Sequence, residues 1–367
     1  MSLRKYILVG AKVSSNEIKK YGYGGVLTLS NGLLDYAREI GVEVQVINTI
    51  QPADSDVAFL KRLKNGLSRI FELISCLQSE KRHGVVIFSG SGWSFYERIF
   101  LALICRFCRV KCIFFIVDGW FFNVQRKPFL MRILIGYLLR IPYKLAASGS
   151  NWEELYKDLG VAEKNIVTIR YWLPKSFAIS EKPKVPRSGD MVDFVFVGWI
   201  VKEKGIYEIL AALEILLKSY TFTFTFIGGG SLLETIRGKI EASRWESCVF
   251  APGRLSSDQL DSVFSVANIF VLPSYAEGFP MSLIEAMSNG MPAICTDVGS
   301  ISDSLHDGEN GFLIPPYNVA ALISAMEFYI NRPDSIFNHS MVTLEVVKEN
   351  HDANRNCRKM FDSFDLV

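Results

Sequence analysis

Short apolar runs alternate with helical stretches along almost the whole of this 367-residue chain. Runs at 6–10, 42–50, 85–89, 112–117 and 144–147 read as strands, separated by segments of helical character such as 26–40. The pattern breaks between 171 and 192, where Pro174, Pro183, Pro186, Ser188 and Gly189 with mixed charge read as a connection between domains. A second series begins at 193–197 and continues through 222–227, 249–251, 269–272, 293–297 and 312–314. Within it Ile206, Ile209, Leu210, Leu213, Leu216 and Leu217 recur at helical spacing. Alternation on this scale predicts an α/β chain with two doubly wound parallel sheets and ligands at the carboxyl ends of the strands. The expected domains are 1–175 and 190–345, facing each other across a cleft, since pockets favour domain interfaces. The stretch 335–365 reads as helical.

The stretch 269–290 carries the most chemistry. Ile269 to Leu272 is a buried strand, Gly278 and Pro280 punctuate a turn, and Met281, Leu283, Ile284 and Met287 start a helix. A strand, a Gly/Pro turn and a helix N-terminus make an anion site, because backbone N–H groups and the helix dipole converge there. Glu277 on the loop and Glu285, two turns into the helix, flank it. Carboxylates are poor phosphate ligands but good acceptors for sugar hydroxyls. The simplest ligand with both features is a nucleotide diphosphate sugar.

Pro-Ser-x-x-Glu277-Gly-Phe-Pro-x-x-Leu-x-Glu285-Ala-Met-x-x-Gly resembles the donor-site signature of retaining glycosyltransferases of the GT-B fold, the glycosyl transferases group 1 or family 4. The resemblance implies two facing Rossmann-like domains, the first for acceptor and the second for donor. It also implies that residues 346–367 cross back as a helix to the first domain. It puts Glu277 against the donor sugar, Glu285 against the ribose, and the backbone of Gly278, Phe279, Pro280, Met281 and Ser282 near the diphosphate; Pro280, lacking an N–H, suits the first helical turn. Lys204, in Phe196-Val-Gly-Trp-Ile-Val-Lys-Glu-Lys-Gly205, resembles the lysine that pairs with the donor diphosphate. Gly228, in the turn Gly228-Gly-Gly230, matches a family glycine turn, although close backbone packing explains it equally well. Arg254, in Ala251-Pro-Gly-Arg-Leu255, resembles the loop near the nucleobase; a solvated arginine is the competing reading. In the first domain Gly24-Gly25 matches a glycine pair whose amides approach donor or acceptor, with a plain helix start as the alternative.

Two departures stand out. Where the family carries Arg after Gly198, this chain has Trp199, so Lys202, Arg254 or another base must replace the missing cation, or Trp199 packs against a substrate. Where the first domain of the family carries His after its 113–117 strand, this chain has Asp118. Asp118 is either a sugar-hydroxyl acceptor or a helix-cap and turn residue. The catalytic set implied by the resemblance is Glu277, Lys204 and Asp118. No residue is identifiable as a nucleophile, and no metal or cofactor is expected besides the donor substrate.

Composition frames the partners. Hydrophobic residues make up 49% and charged residues 21%, a folded chain with ample core. No apolar run approaches the ~18–20 residues of a membrane span, and the first residues lack a signal-peptide core. Seven cysteines without framework spacing fit a reducing compartment, so a cytoplasmic location is expected. Cys105, Cys108 and Cys112 include one C-x2-C but no second pair, and read as core cysteines. Net charge is +2, yet residues 1–180 carry 25 Lys and Arg against 14 Asp and Glu, and residues 181–367 carry 15 against 24. Arg126, Lys127, Arg132, Arg140 and Lys144 frame the apolar segment 129–141. That pattern suits either a helix on an anionic membrane surface or a buried helix with snorkelling ends. Nucleic acid is not an expected partner: no recognition motif is present and the pI is near 8.1.

The basic first half and cytoplasmic setting favour a glycan acceptor that is lipid-linked or otherwise anionic, in assembly of bacterial surface polysaccharide or lipopolysaccharide. UDP-sugars come first only because they are the commonest donors. Three rivals remain. Asp54-Ser-Asp56 is a literal Asp-x-Asp of metal-dependent enzymes, away from a strand end. A glycan phosphorylase would share the architecture, but no pyridoxal-type lysine motif is seen. A scaffold subunit that binds nucleotide without turnover is motivated by Trp199 and the absent His.

Overall fold

The computed structural model describes residues 4–12, 25–50, 59–79, 82–174, 177–186 and 191–365. Gly24, Asp54, Asp56, Ser188 and Gly189 lie outside the described residues. The chain divides into two compact units: Met1–Ser176 with His351–Val367, and Phe177–Asn350.

The first unit is built on a six-stranded sheet of order β2-β1-β3-β4-β5-β6. Its strands are β1 (Lys5–Gly10), β2 (Glu43–Asn48), β3 (Gly84–Ser89), β4 (Cys112–Ile116), β5 (Lys144–Ala147) and β6 (Ile166–Thr168). All neighbours are parallel. Helices α1 (Gly25–Glu39), α2 (Phe59–Ser79), α3 (Trp93–Phe107), α4 (Phe129–Leu139) and α5 (Ser150–Asp158) make the crossovers, with a 3-10 helix over Gly119–Arg126. One core on the sheet contains Phe95, Phe114, Phe121 and Trp152. β6 and the 3-10 helix have no counterpart in the sequence reading, because three residues and a 3-10 turn are too short to show a period.

The second unit has the order β12-β11-β10-β7-β8-β9, again wholly parallel. Its strands are β7 (Asp193–Val197), β8 (Thr223–Ile227), β9 (Val249–Gly253), β10 (Ile269–Leu272), β11 (Ala293–Thr296) and β12 (Gly311–Ile314). Phe194 pairs with Phe224 and Phe196 with Phe226 across β7 and β8, so aromatic cross-strand pairs fill the centre of this sheet. The helices are α6 (Ile206–Leu216), α7 (Leu233–Ser243), α8 (Ser257–Val266), α9 (Met281–Ser288), α10 (Val319–Asn331) and α11 (Ser335–Asn350). A capping box opens α8: the Ser256 hydroxyl accepts from Gln259 N and Gln259 reaches back to Ser256 N.

The helical stretch expected over 335–365 is two helices, not one. Asp352 accepts from Arg355 N at 2.7 Å and starts α12 (Ala353–Asp362), which belongs to the first unit. There Phe361 and Phe364 lie 5.0 and 5.2 Å from Tyr6. Gly84 admits the Phe364 ring, since a Cβ on it would come within 2.2 Å.

Each sheet reverses its strand order once, between β1 and β3 in the first and between β7 and β10 in the second. Loops leaving the carboxyl ends of such neighbouring strands diverge and open a crevice.

Candidate functional site

In the second unit the divergent loops are 198–205 after β7 and 273–280 after β10. The first is shaped by glycine. Gly198 N donates to Ile227 O at 3.0 Å and Ile200 N to Gly229 O at 2.9 Å, so the backbone continues alongside the turn after β8. A Cβ on Gly228 would sit 1.8 Å from Gly198 O, and one on Gly230 2.3 Å from Ile200 O. Close backbone approach accounts for these glycines, including Gly228. Gly205, with φ 73°, ends the short 3-10 turn Lys202–Lys204 and opens α6; a Cβ there would meet Pro273 O at 2.1 Å. Tyr275 N donates to Glu203 O at 2.8 Å. The two loops are thereby locked together by backbone.

That locking brings Lys204 and Glu277 into contact. Lys204 Nζ donates to Glu277 Oε1 at 2.5 Å, with Glu277 only 8% exposed. Neither residue is isolated, as reading them separately along the chain suggests: the cation is already neutralised by the carboxylate. From behind, the loop after β11 presses on Glu277. Gly299, with φ 60°, has Glu277 O and Gly278 O 2.2 and 2.7 Å from where its Cβ would be, and Ser300 N donates to Gly278 O at 3.2 Å. Thr296 Oγ1 donates to Ser274 O at 2.5 Å. These supports come from residues that no motif marked.

Helix α9 follows directly. Pro280 is its N-cap, no side chain caps it, and its first turn holds no acidic residue. Phe279, Pro280 and Met281 are buried, whereas Ser282 is half-buried. Glu285 lies in the second turn, one turn nearer the loop than the sequence reading has it. Burial, and then the Asp261 carboxylate, push its carboxyl up to about 7.

A third group forms at the same end of the sheet. The Arg254 guanidinium lies 4.7 Å from the centroid of Trp199, and its Nε is 2.7 Å from where a Cβ on Gly229 would be. Trp199 thus stacks against a cation, Arg254.

In the first unit Asp118 follows β4. Its Oδ1 accepts from Trp120 N at 3.0 Å, starting the 3-10 helix, and its Oδ2 accepts from Ser91 N at 3.0 Å and from the Ser91 hydroxyl. These contacts make Asp118 the cap of that turn. Gly25 is the first residue of α1 and is half-buried. Among the described residues no three His, Cys, Asp or Glu cluster as metal ligands. Cys105 and Cys112 are buried, Cys108 is exposed, and none of the three is in a disulfide.

A glycosyl transferases group 1 model matches residues 179–343. TuaC of Bacillus subtilis (strain 168), a glycosyltransferase provisionally assigned to teichuronic acid biosynthesis, is 33% identical over 175 residues, 47% of this chain and 42% of its own length. The chain thus spans about half the length of the curated relatives it matches. Among solved structures, the lipopolysaccharide outer core galactosyltransferase WaaB has a TM-score of 0.71 at 16% identity, covering 98% of both chains. Anabaena HepE, solved in complex with UDP, has a TM-score of 0.69 at 13% identity over the whole of both chains. At these identities the structures show a shared fold, the two parallel-sheet units of GT-B glycosyltransferases.

Proposed function

Residues 179–343 being a glycosyl transferases group 1 domain within a GT-B fold, we propose that this chain is a retaining, metal-independent glycosyltransferase. It moves a sugar from a nucleotide diphosphate sugar, a UDP-sugar first, to a hydroxyl of a lipid-linked glycan at the cytoplasmic face of a bacterial membrane. The products belong to surface polysaccharide or lipopolysaccharide assembly.

The Lys204–Glu277 pair at the switch point carries this reading. A bare pair in a crevice is neutral and gains nothing from a neutral ligand. A diphosphate beside the first turn of α9 draws the ammonium towards phosphate oxygens, where helix amides add to it. Glu277 is then released to accept from sugar hydroxyls. As the bond to the leaving diphosphate lengthens, negative charge grows on it, and Lys204 with the amides stabilises that charge in place of a metal. Arg254, held by Trp199, adds a second cation near the base or diphosphate. Glu285 accepts from ribose hydroxyls.

Thermal shift against UDP, GDP, ADP and CDP with EDTA present is the direct test. At ~100-fold its dissociation constant the right nucleotide adds about 2.7 kcal/mol, several degrees for units of this size. No shift with any of them would sink the donor site. Nucleotide binding without release of nucleoside diphosphate, whatever the acceptor, would instead support the scaffold alternative.

The membrane assignment is supported by α4. It packs through Ile135, Gly136 and Leu139, where a Cβ on Gly136 would meet Leu159 O at 2.2 Å. Arg132 and Leu138 are half-buried, and most of the remaining helix faces solvent: Phe129 is 72% exposed, Leu130 79% and Tyr137 62%. Arg106 reaches the Arg140 carbonyl, which brings the end of α3 and its exposed Phe107 alongside. Exposed Arg126, Lys127 and Arg140 flank this apolar face. Among the described residues no helix is long and apolar enough to cross a membrane. Apolar side chains with cations around them match an anionic lipid surface, at about 1 kcal/mol per cation. Replacing Arg126, Lys127, Arg132 and Arg140 by Gln should reduce sedimentation with anionic vesicles; unchanged binding would remove the membrane from the proposal.

A further inference from the structure

The first unit holds a cavity of about 380 Å³ at the carboxyl edge of its sheet. Thr49 enters it from the end of β2 and Ser91 from the loop after β3, the strands on either side of β1. It therefore lies beside the reversal of strand order between β1 and β3, at the end of the sheet where ligands bind in open parallel folds. Arg69 of α2 and Trp93, Glu97 and Arg98 of α3 line it as well.

Among the described residues the charge in this cavity does not balance. Glu97 accepts from Arg69 Nε at 2.7 Å and Arg69 Nη2 at 3.0 Å, a fork-to-carboxylate pair, and also from Arg98 Nη1 at 2.5 Å. Arg69 is 6% exposed, Arg98 5% and the Glu97 side chain 9%. Among the described residues one buried carboxylate thus faces two buried guanidiniums, and Arg98 Nε has no hydrogen-bond partner. Burial pulls the Arg98 guanidinium down from its ordinary value, against the pull of Glu97. A surplus buried cation is unfavourable unless an anion completes it.

Two more features favour an anion. Helix α3 starts at the cavity with Trp93 in its first turn; Gly92, at φ 61°, gives it no capping side chain, and that turn contains no acid. Its amide ends and dipole point to the same space. Exposed Arg62 stands at the rim. A tetrahedral phosphoryl group, with several acceptor oxygens, suits guanidinium forks and helix amides at once.

We propose that this cavity binds a phosphoryl group of the acceptor, between Arg69, Arg98 and the first turn of α3. Only the word acceptor rests on the glycosyltransferase reading; the anion site stands on the cavity itself. The phosphoryl group is either part of a soluble glycan or borne by a lipid, and the chemistry of recognition is the same.

The test titrates inorganic phosphate into the full chain with nucleoside diphosphate saturating, reading thermal shift and tryptophan fluorescence. Phosphate should raise the melting midpoint and change the emission of Trp93, a change that Trp93→Phe removes. Arg98→Met should weaken phosphate at least about tenfold, the worth of one hydrogen bond to a charged group. Without phosphate its midpoint should be unchanged or higher, because a surplus cation has gone. Arg98→Lys should keep part of the phosphate response. Equal phosphate affinity in wild type and Arg98→Met would overturn the proposal, as would a lower midpoint of Arg98→Met with no phosphate effect. Vesicles of phosphatidylcholine with phosphatidic acid separate the two sources: weaker vesicle binding by Arg98→Met supports a lipid phosphate, and unchanged vesicle binding with lost phosphate response supports a soluble one. A chain that answers to nucleoside diphosphate but not to phosphate loses this inference alone. A chain that answers to phosphate but to no nucleotide loses the donor site alone.

Discussion

At the switch point of the second sheet one lysine faces one glutamate; beside that of the first, two arginines face one glutamate. Both sit at the carboxyl ends of parallel strands, yet their electrostatics differ in kind. Lys204 and Glu277 neutralise each other, and the Lys204 side chain keeps 24% of its surface in solvent, so the pair can open and exchange partners when a diphosphate arrives. The Arg69–Glu97–Arg98 group is buried with a charge left over among the described residues. The first arrangement is built to switch and the second to wait for a counter-ion. One fold element, the reversal of strand order, supplies the crevice in both cases. The side chains at its rim decide what enters.

The largest expected effect comes from removing the carboxylate of the buried group. Glu97→Gln leaves two guanidiniums without a counter-charge, and should destabilise the chain by about 3–5 kcal/mol, roughly 10 °C in melting midpoint. Calorimetry that finds less than a degree would mean solvent already screens this cluster, and the contrast between the two sites would collapse.

At the exchanging pair the loss should appear in turnover. Lys204→Ala should lower kcat/KM by about 100- to 1000-fold, as removal of a charge-stabilising donor does, measured as nucleoside diphosphate release. Glu277→Ala should chiefly impair sugar transfer, whereas Glu285→Ala should weaken nucleotide binding. Equal loss of nucleoside-diphosphate affinity in both glutamate variants would erase the division of roles.

Glu285 offers a pH-dependent test within the second unit. Its folded carboxyl titrates at about 7, above the ordinary 4.5 of an unfolded glutamate. The folded state therefore holds this proton more tightly. Its contribution is fully present below about pH 4.5 and is lost as pH rises through 7. Glu285→Gln should flatten that part of the stability profile and add about 3 kcal/mol at pH 8. A profile that keeps its slope in the variant assigns the titration elsewhere.

The smallest effect is expected at the surface of the donor site. Trp199→Ala removes the face on which Arg254 rests, worth about 0.5–1 kcal/mol, and should weaken nucleotide binding about threefold without altering the melting midpoint of the free protein. If Trp199→Ala instead costs acceptor KM, the indole meets the acceptor rather than holding the cation.

Much of the fold could be read from residue order. The apolar runs fall on eleven of the twelve described strands, because each buried strand is a contiguous local pattern. The turn at Gly278 and Pro280 and the start of α9 at Met281 were equally local. The charged cluster on α3 was not. Glu97 and Arg98 look like ordinary polar positions on a helix, and only packing against α2 shows that both are buried with Arg69. The contact of Asp118 with Ser91, 27 residues earlier, likewise appears only in the folded chain.

By itself, then, the chain's order of residues determined two βα series, the break between them, and a strand–turn–helix motif suited to a diphosphate. These follow from periodicity and from glycine and proline at set positions, which act over a few residues. Strand order, the meeting of Lys204 with Glu277 across 73 residues, and the surplus buried cation were decided only by tertiary structure. Charge balance at a point in space depends on which side chains converge there, and convergence across a sheet leaves no mark on the spacing of residues along the chain.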